Sequence, residues 1–212
     1  MEIGISTEKA AELIRRDVPP VTAGILRVSK AEGRILSEDL LTEEGEVILS
    51  EGMRLTKHAM GVLKAAGLDR PGLFLPVYKP VRCAVLSVGP DAGLAEKVEA
   101  MGYGVTANEA ELPADADKLA DAVYAASDNA EAIFLTGGLE DWNTSVVPQM
   151  LSFLFADLVF RQDNGDPAGP AVCAIYRGRP LLAFSGDPAQ AAAALEAYGR
   201  PALAARSGCE IF

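Results

Sequence analysis

The second half of the chain alternates short apolar runs with helical patterns, and this alternation constrains the fold more than any other feature. The run "VRCAVLSV" (81–88) is almost continuously apolar, as expected of a strand buried on both faces. The runs "EAIFLT" (131–136) and "RPLLAFS" (179–185) have the same character, and helical patterns separate them. This order predicts an α/β fold in which helices cover both faces of a wound, mainly parallel sheet, giving three layers.

The first half has a different rhythm and predicts a small module of helix and β-hairpin. The segment "STEKAAELIRRD" (6–17) has helical spacing behind a capping residue. Apolar and polar residues alternate on both sides of 43–45, which predicts a hairpin. We place the boundary after residue 78, so that residues 1–78 form the N-terminal module and residues 79–212 form the α/β domain.

Charge and composition exclude several classes of function. The net charge is −11, and such a surface repels nucleic acid and anionic lipid. No apolar stretch is long enough to cross a bilayer and the start lacks a signal peptide, so we expect a cytoplasmic protein with no membrane partner. The three cysteines are widely spaced and predicted to be reduced thiols, and a single histidine leaves little scope for zinc.

Three predicted strands end in turns of similar composition, namely "SVGPD", "TGGLEDW" and "SGDP". In sheets of this class, ligands bind beyond the carboxyl ends of the strands. Glycine lets backbone amides approach a ligand, and helix N-termini beside the turns favour phosphate. Because carboxylates repel phosphate unless a divalent cation lies between, the turns predict an anionic or phosphorylated ligand held with Mg²⁺. The carboxylates concerned are Asp91, Glu140, Asp141 and Asp187.

A purely structural interpretation of the same residues stays open. Asp91 and Asp187 occupy positions where helix caps belong, and glycines are common at strand-to-helix turns for geometric reasons. The ligand interpretation further requires the sheet topology to bring the three turns together.

The order of these segments resembles the molybdopterin molybdotransferase family of the MoeA type. "GEVILSEGMRLTKHAMGVLKAAGL" and "KPVRCAVLSVG" are similar to the stretch before the family's ligand-binding domain and to the first strand of that domain. "AIFLTGGLEDWNTSVVPQML" and "GRPLLAFSGDPAQAAAALEAYGRP" are similar to its later turns. The resemblance covers nearly the whole chain, and it implies the molybdopterin-binding fold that this family shares with the MogA-type adenylyltransferases.

The resemblance also implies a ligand and site residues. The family binds molybdopterin, a pterin dithiolene that carries a phosphate, and inserts molybdate with the help of Mg²⁺. By position, the residues implied to bind the ligand are Ser87, Gly89, Thr136, Gly137, Gly138, Glu140, Ser185, Gly186 and Pro188. The implied catalytic residues are Asp91, Asp141 and Asp187, and the implied metal ligands are Asp91, Glu140 and Asp141.

Several departures separate this chain from the family pattern. A long insertion with a catalytic "SxMDG"-like stretch is expected after Leu40, where "TEEGEVIL" follows almost at once. "TGDE" is replaced by "VGPD", a lysine-bearing "KPGKP" loop by "DNGDP" (163–167), and "PGNP" by "SGDP". Trp142 stands where the family has small residues, and it can either fill the space of the pterin or stack on its ring.

These observations lead to two hypotheses. In the first, the protein acts in molybdenum cofactor biosynthesis and binds a molybdopterin-type ligand, with molybdotransferase activity if catalysis survives. In the second, it is a non-catalytic scaffold that kept the fold and binds a protein partner of cofactor assembly. Because members of the family dimerise, the resemblance also implies a homodimer.

Overall fold

The computed structural model describes residues 2–42, 44–163 and 168–209. In chain order the elements are β1 (Glu2–Ile3), α1 (Thr7–Asp17), β2 (Ala23–Arg27), β3 (Leu40–Leu41), β4 (Val47–Leu49), α2 (Lys57–Ala65), β5 (Phe74–Tyr78), β6 (Arg82–Val88), α3 (Leu94–Ala100), β7 (Gly104–Leu112), α4 (Ala116–Ser127), β8 (Ala132–Thr136), α5 (Val146–Phe153), β9 (Asp157–Gln162), β10 (Ala171–Tyr176), β11 (Arg179–Phe184), α6 (Pro188–Ala194) and α7 (Arg200–Arg206).

The chain divides into two compact units whose limits differ from the predicted domains 1–78 and 79–212. One unit joins Met1–Pro19 to Val81–Arg206, and the other joins Pro20–Pro80 to Ser207–Phe212. The difference arises because β1 pairs with β9 and α1 packs on α7 and β9. The first helix therefore belongs with the large sheet.

A mainly parallel sheet forms the centre of the larger unit, as the alternation of strands and helices predicts. Within the described residues its strand order is β1-β9-β10-β11-β8-β6-β7. Strands β11, β8, β6 and β7 are parallel to one another, and β10 is antiparallel to both β9 and β11. The predicted α/β fold class is confirmed.

Side chains of the buried strands alternate between two apolar layers. Leu86 and Ile133 belong to a cluster with residues of α4 and α5 on one face of the sheet. On the other face, the rings of Phe134 and Phe184 stack with centroids 6.1 Å apart. A Cβ on Gly199, in the π-helical turn between α6 and α7, would lie 3.1 Å from the Phe134 ring. Helices therefore cover both faces, which explains the continuous apolar runs of these strands.

Among its described residues, the smaller unit contains two antiparallel strand pairs, the helix α2 and a short 3-10 helix at Val28–Lys30. β2 pairs with β5, and β3 pairs with β4 in the predicted hairpin, whose turn includes Glu43, outside the described residues. Thr56 caps α2 by accepting a hydrogen bond from the Ala59 amide at 3.3 Å. Leu36 and Leu63 are fully buried in the core of this unit.

Burial keeps two cysteines in the protonated thiol form. Cys83 and Cys173 lie within β6 and β10 at 0% exposure, and burial raises the pKa of each thiol to about 12. This is the behaviour of small core residues, as predicted for Cys83. Across the described ranges, no helix combines the length and the apolar character needed to cross a membrane.

A part-buried arginine holds three segments of the larger unit together. The Arg206 guanidinium donates to the Pro19 carbonyl at 2.8 Å, to the Glu131 carbonyl at 3.1 Å and to the Glu131 carboxylate at 2.7 Å. The Arg206 side chain is 9% exposed, so the guanidinium has little access to water and depends on these acceptors. The contact joins the end of α7 to the residue before β8 and to Pro19, two residues after α1.

We expect Arg206→Ala to lower the free energy of unfolding by about 2–4 kcal/mol, because it removes three hydrogen bonds of an almost buried guanidinium and leaves a space where that side chain packs. Arg200→Ala is the matched control, since the Arg200–Glu196 pair is more than half exposed, and it should cost less than about 1 kcal/mol. Urea denaturation of the two variants measures both values. Equal losses would contradict a structural role for the Arg206 contacts.

Candidate functional site

The three predicted turns lie at one edge of the sheet. β6, β8 and β11 are adjacent and parallel, so their carboxyl ends point the same way. Ser87 pairs with Thr136 in register, and the Thr136 hydroxyl donates to the Ser87 hydroxyl at 2.9 Å. The Gly137 amide donates to the Phe184 carbonyl at 3.1 Å. The convergence that the ligand hypothesis requires is therefore present.

Two glycines of the central turn are required by close backbone packing. Gly137 has φ +79°, and a Cβ there would overlap the Val88 carbonyl oxygen. Gly138 has φ +68°, and its Cβ would lie 2.5 Å from a Val146 methyl group. A Cβ on Gly186 of the third turn would lie 3.3 Å from the Gly137 Cα. The glycines thus have a structural role that exists without any ligand.

The predicted hydroxyl ligands have different surroundings. Ser87 and Thr136 are 0% and 1% exposed, and they bond to each other inside the sheet. Ser185, in the third turn, accepts a hydrogen bond from the Asp187 amide at 3.1 Å. The hydroxyls of Ser87 and Thr136 therefore hold strands together and are shielded from solvent.

The carboxylates of the first and third turns both accept hydrogen bonds from backbone amides. Asp187 accepts from the amides of Ala189 and Gln190 at 3.0 and 2.9 Å, and Pro188 is the first residue of α6. Asp187 is therefore a helix cap, which is the alternative that the sequence left open for it. Asp91 accepts from the Gly93 amide at 2.8 Å within its own turn, and α3, which follows Gly93, has no side-chain cap.

The carboxylates of the central turn are organised around one serine. Glu140 accepts from the Gly138 amide at 3.2 Å and from the Ser145 hydroxyl at 3.4 Å. The Asp141 amide donates to the same hydroxyl at 2.9 Å, while the Asp141 carboxylate accepts from the Asn143 amide at 2.8 Å. Ser145 is the residue before α5, yet its side chain does not cap that helix.

Two cavities lie beside the central turn. The larger cavity has a volume of about 620 Å³ and lies between this turn and the starts of α4 and α5. The smaller cavity, of about 230 Å³, lies between the same turn and the end of β9. Glu140 and Asp141 line both cavities, whereas the residues of the first and third turns are not among the lining residues of either.

The larger cavity is strongly acidic. Its lining includes the carboxylates of Asp115, Asp117, Glu140 and Asp141 and, within the described part of the chain, no lysine or arginine. Asp115 caps α4 by accepting from the Lys118 amide at 3.0 Å. The sequence analysis missed the loop before α4, although it follows a strand next to β6 and reaches the same edge of the sheet.

The side chains at this edge offer the kind of ligand atom that Mg²⁺ prefers. Glu140, Asp141, Thr144 and Ser145 offer oxygen atoms, which hard divalent cations prefer. Asp91, the third predicted metal ligand, does not line the cavity with them. Among the residues that the structure describes, no three His, Cys, Asp or Glu side chains are arranged to hold a metal ion. Mg²⁺ is commonly held by one or two carboxylates together with substrate phosphate, so this arrangement is compatible with it.

An aromatic–cation pair forms one wall of the smaller cavity. The Arg161 guanidinium lies 4.6 Å from the centroid of the Trp142 ring and forms a two-point ion pair with Asp163. That bond lowers the pKa of the Asp163 carboxyl and raises the pKa of Arg161, to which the nearby Asp141 also contributes. Trp142 is partly buried against the α4–α5 cluster and does not line the larger cavity. Of the acidified 163–167 loop, only Asp163 is among the described residues.

Comparison with solved structures identifies the fold. The chain is similar to a molybdenum cofactor biosynthesis protein from Pyrococcus furiosus, with TM-score 0.72, 19% identity, and coverage of 99% of this chain and 73% of the other. It is also similar to the molybdopterin biosynthesis MoeA protein from Pyrococcus horikoshii OT3, with TM-score 0.71, 14% identity, and coverage of 98% and 80%. No family model and no curated protein sequence matches the chain. The chain therefore shares the fold of these proteins.

Replacing Gly137 by alanine tests the packing of the turns. We expect Gly137→Ala to lower the free energy of unfolding by more than about 2 kcal/mol, because it adds an overlap with the Val88 carbonyl to the strain of a positive φ. Gly89→Ala is the matched control, since Gly89 has φ +87° but open space around its Cβ position. It should cost about 1–2 kcal/mol. Thermal and urea unfolding compare the two, and equal costs would contradict the close approach.

Proposed function

We propose that this protein acts in molybdenum cofactor biosynthesis and binds a molybdopterin-type phosphorylated ligand together with Mg²⁺. The observation that carries the proposal is the acidic cavity of about 620 Å³ at the edge where the three glycine turns meet. Its volume lies within the usual range for small-molecule sites. The fold shared with the Pyrococcus proteins supports the same assignment.

Two helix starts border the larger cavity and add partial positive charge to it. α4 and α5 have twelve and eight residues, and both begin at this cavity. The positive end of a helix dipole favours an anion. Few free amides accompany it, because the Lys118 amide donates to the Asp115 carboxylate, the Val147 amide donates to the Gly138 carbonyl and Pro148 has no N–H. The proposal therefore relies mainly on a cation to hold the phosphate.

The carboxylates of the larger cavity make a cation necessary for binding a phosphate there. A phosphate that enters this cavity meets Glu140 and Asp141, and like charges at such distances oppose binding. In this proposal Glu140 and Asp141 would hold a Mg²⁺ ion, which would offset this repulsion and would supply positive charge to an oxyanion such as molybdate during its transfer. Of the other two carboxylates implied to be catalytic by the resemblance, Asp187 caps α6 and Asp91 bonds to the Gly93 amide of its own turn.

Binding of molybdopterin should depend on Mg²⁺. We expect calorimetry to show binding with Mg²⁺ and at least about tenfold weaker binding in EDTA, because a single uncompensated charge contact is commonly worth more than 1 kcal/mol. The double variant Glu140→Gln, Asp141→Asn should lose this dependence on Mg²⁺. Asp157→Asn is the control, since Asp157 is an exposed carboxylate at the amino end of β9, away from both cavities.

Two outcomes would contradict the proposal. Equal affinity with and without Mg²⁺ would contradict the role of the cation in binding. Absence of any heat or thermal shift in both conditions would contradict binding of the ligand itself.

A further inference from the structure

Phe155 combines two features that folding does not explain. Its side chain is 91% exposed, and its backbone has φ +50°, in the left-handed region that bulky residues rarely adopt. It lies two residues after α5, and its amide donates to the Ser152 carbonyl at 3.1 Å as part of the helix C-terminus. Glycine or asparagine is usual at such a position, because a Cβ is strained there. Neither packing nor backbone preference accounts for phenylalanine here, so its ring is available to another molecule.

A second phenylalanine continues this apolar surface into the larger cavity. Phe153, the last residue of α5, is 52% exposed and lines that cavity. Ser145, Gln149 and Phe153 follow one another at intervals of four residues and all line the cavity, so they lie along one face of α5. Eight residues of helix span roughly 12 Å. The cavity is therefore a groove along α5, with the central turn at one end and Phe153 at the other.

The surroundings of the two phenylalanines are acidic. Asp115 and Asp117, at the start of α4, line the cavity together with Phe153, and the exposed Asp157 lies two residues after Phe155. In the part of the chain that the structure describes, neither lysine nor arginine contributes to this lining. A molecule that covers the surface therefore gains affinity when it presents positive charge beside an apolar side chain.

The same charges disfavour two other occupants. In a symmetric dimer the patch on the two-fold axis meets its own copy, so the carboxylates of Asp115, Asp117 and Asp157 would approach the same carboxylates of the second chain. Anionic lipid would meet this acidic surface with charge of the same sign. A basic segment of a different protein avoids both penalties.

We propose that Phe153 and Phe155 form a docking surface for a basic amphipathic segment of another protein. The segment places an apolar side chain against the two rings, and lysine or arginine within one or two turns of it pairs with Asp117 and Asp157. Amphipathic segments commonly bind grooves between packed helices in this way, and α4 packs beside α5. The inference goes beyond the proposed function, because docking at the Phe153 end does not require the carboxylates of the central turn.

Selection from a random peptide library displayed on phage tests the chemistry of the partner directly. We expect peptides selected on the unmodified protein to combine lysine or arginine with an aromatic or branched apolar residue. Fluorescence anisotropy of the labelled peptides then gives their affinity. Phe155→Gly, Phe153→Ser and Asp117→Lys should each weaken binding at least about tenfold. Phe155→Gly should at the same time raise the melting temperature, because glycine relieves the strain of the positive φ.

Two controls match these variants. Phe74→Ser removes a phenylalanine of similar exposure, 47%, from β5 in the smaller unit. Glu99→Lys reverses an exposed charge on α3, a helix that packs against α6 and lines neither cavity. Both control variants should bind the selected peptides like the unmodified protein.

Several outcomes would overturn the proposal. A library that yields no consensus, a consensus without basic residues, or unchanged peptide affinity in Phe155→Gly would each do so. If Phe155→Gly converts a dimer into a monomer in analytical ultracentrifugation, the surface binds a second copy. If it abolishes binding to phosphatidylcholine vesicles, the surface binds a bilayer. Because Phe155 lines neither cavity, Phe155→Gly should bind molybdopterin like the unmodified protein, so failure of molybdopterin binding in both counts against the proposed function alone.

Discussion

The close approach of Gly137 to the Val88 carbonyl sets the geometry of the entire edge. It brings the turn after β8 against the end of β6, while the Gly137 amide bonds to the last carbonyl of β11. Any side chain at this point would force the three strands apart. With the backbone held so tightly, the next residues project outwards, and Glu140 and Asp141 reach the two cavities. The chemistry of the site thus follows from a steric constraint in the sheet.

Charge at this edge is arranged to reject a bare anion. The larger cavity has carboxylates from two loops. Beside the smaller cavity, the Arg161 guanidinium is paired with the Asp163 carboxylate. With a net charge of −11 the whole molecule adds to the same field. Under the proposed function, affinity for a phosphorylated compound would have to come mainly from a cation. Binding would then depend on the metal concentration more than on arginine or lysine contacts.

The strands and the convergence of three turns could be predicted from the sequence because their signals are local. Apolar runs mark buried strands, and glycines mark the turns that follow them. Residues that depend on strand order could not be found this way. Arg161 reaches Trp142 from β9, a strand that is separated from β8 by two others in the sheet. β7 extends to Leu112, but its second half is exposed and acidic, so the sequence there lacks the apolar pattern of a strand. The loop before α4, which this strand brings to the edge, therefore could not be predicted.

Glycines and caps alone do not distinguish a working site from a remnant of one, because folding explains them fully. Gly137 and Gly138 avoid overlaps, Asp187 satisfies amides of α6, and Asp91 satisfies an amide of its own turn. The informative groups are those that folding leaves unexplained. The Gln162 amide oxygen is buried without a partner, and two carboxylates of the central turn face space that no described side chain fills. Trp142 lies outside the larger cavity, so its bulk does not close that space. Unsatisfied acceptors and neighbouring carboxylates each cost free energy in the absence of a partner. Their occurrence together at one edge is the structural feature that supports the proposal of a ligand there.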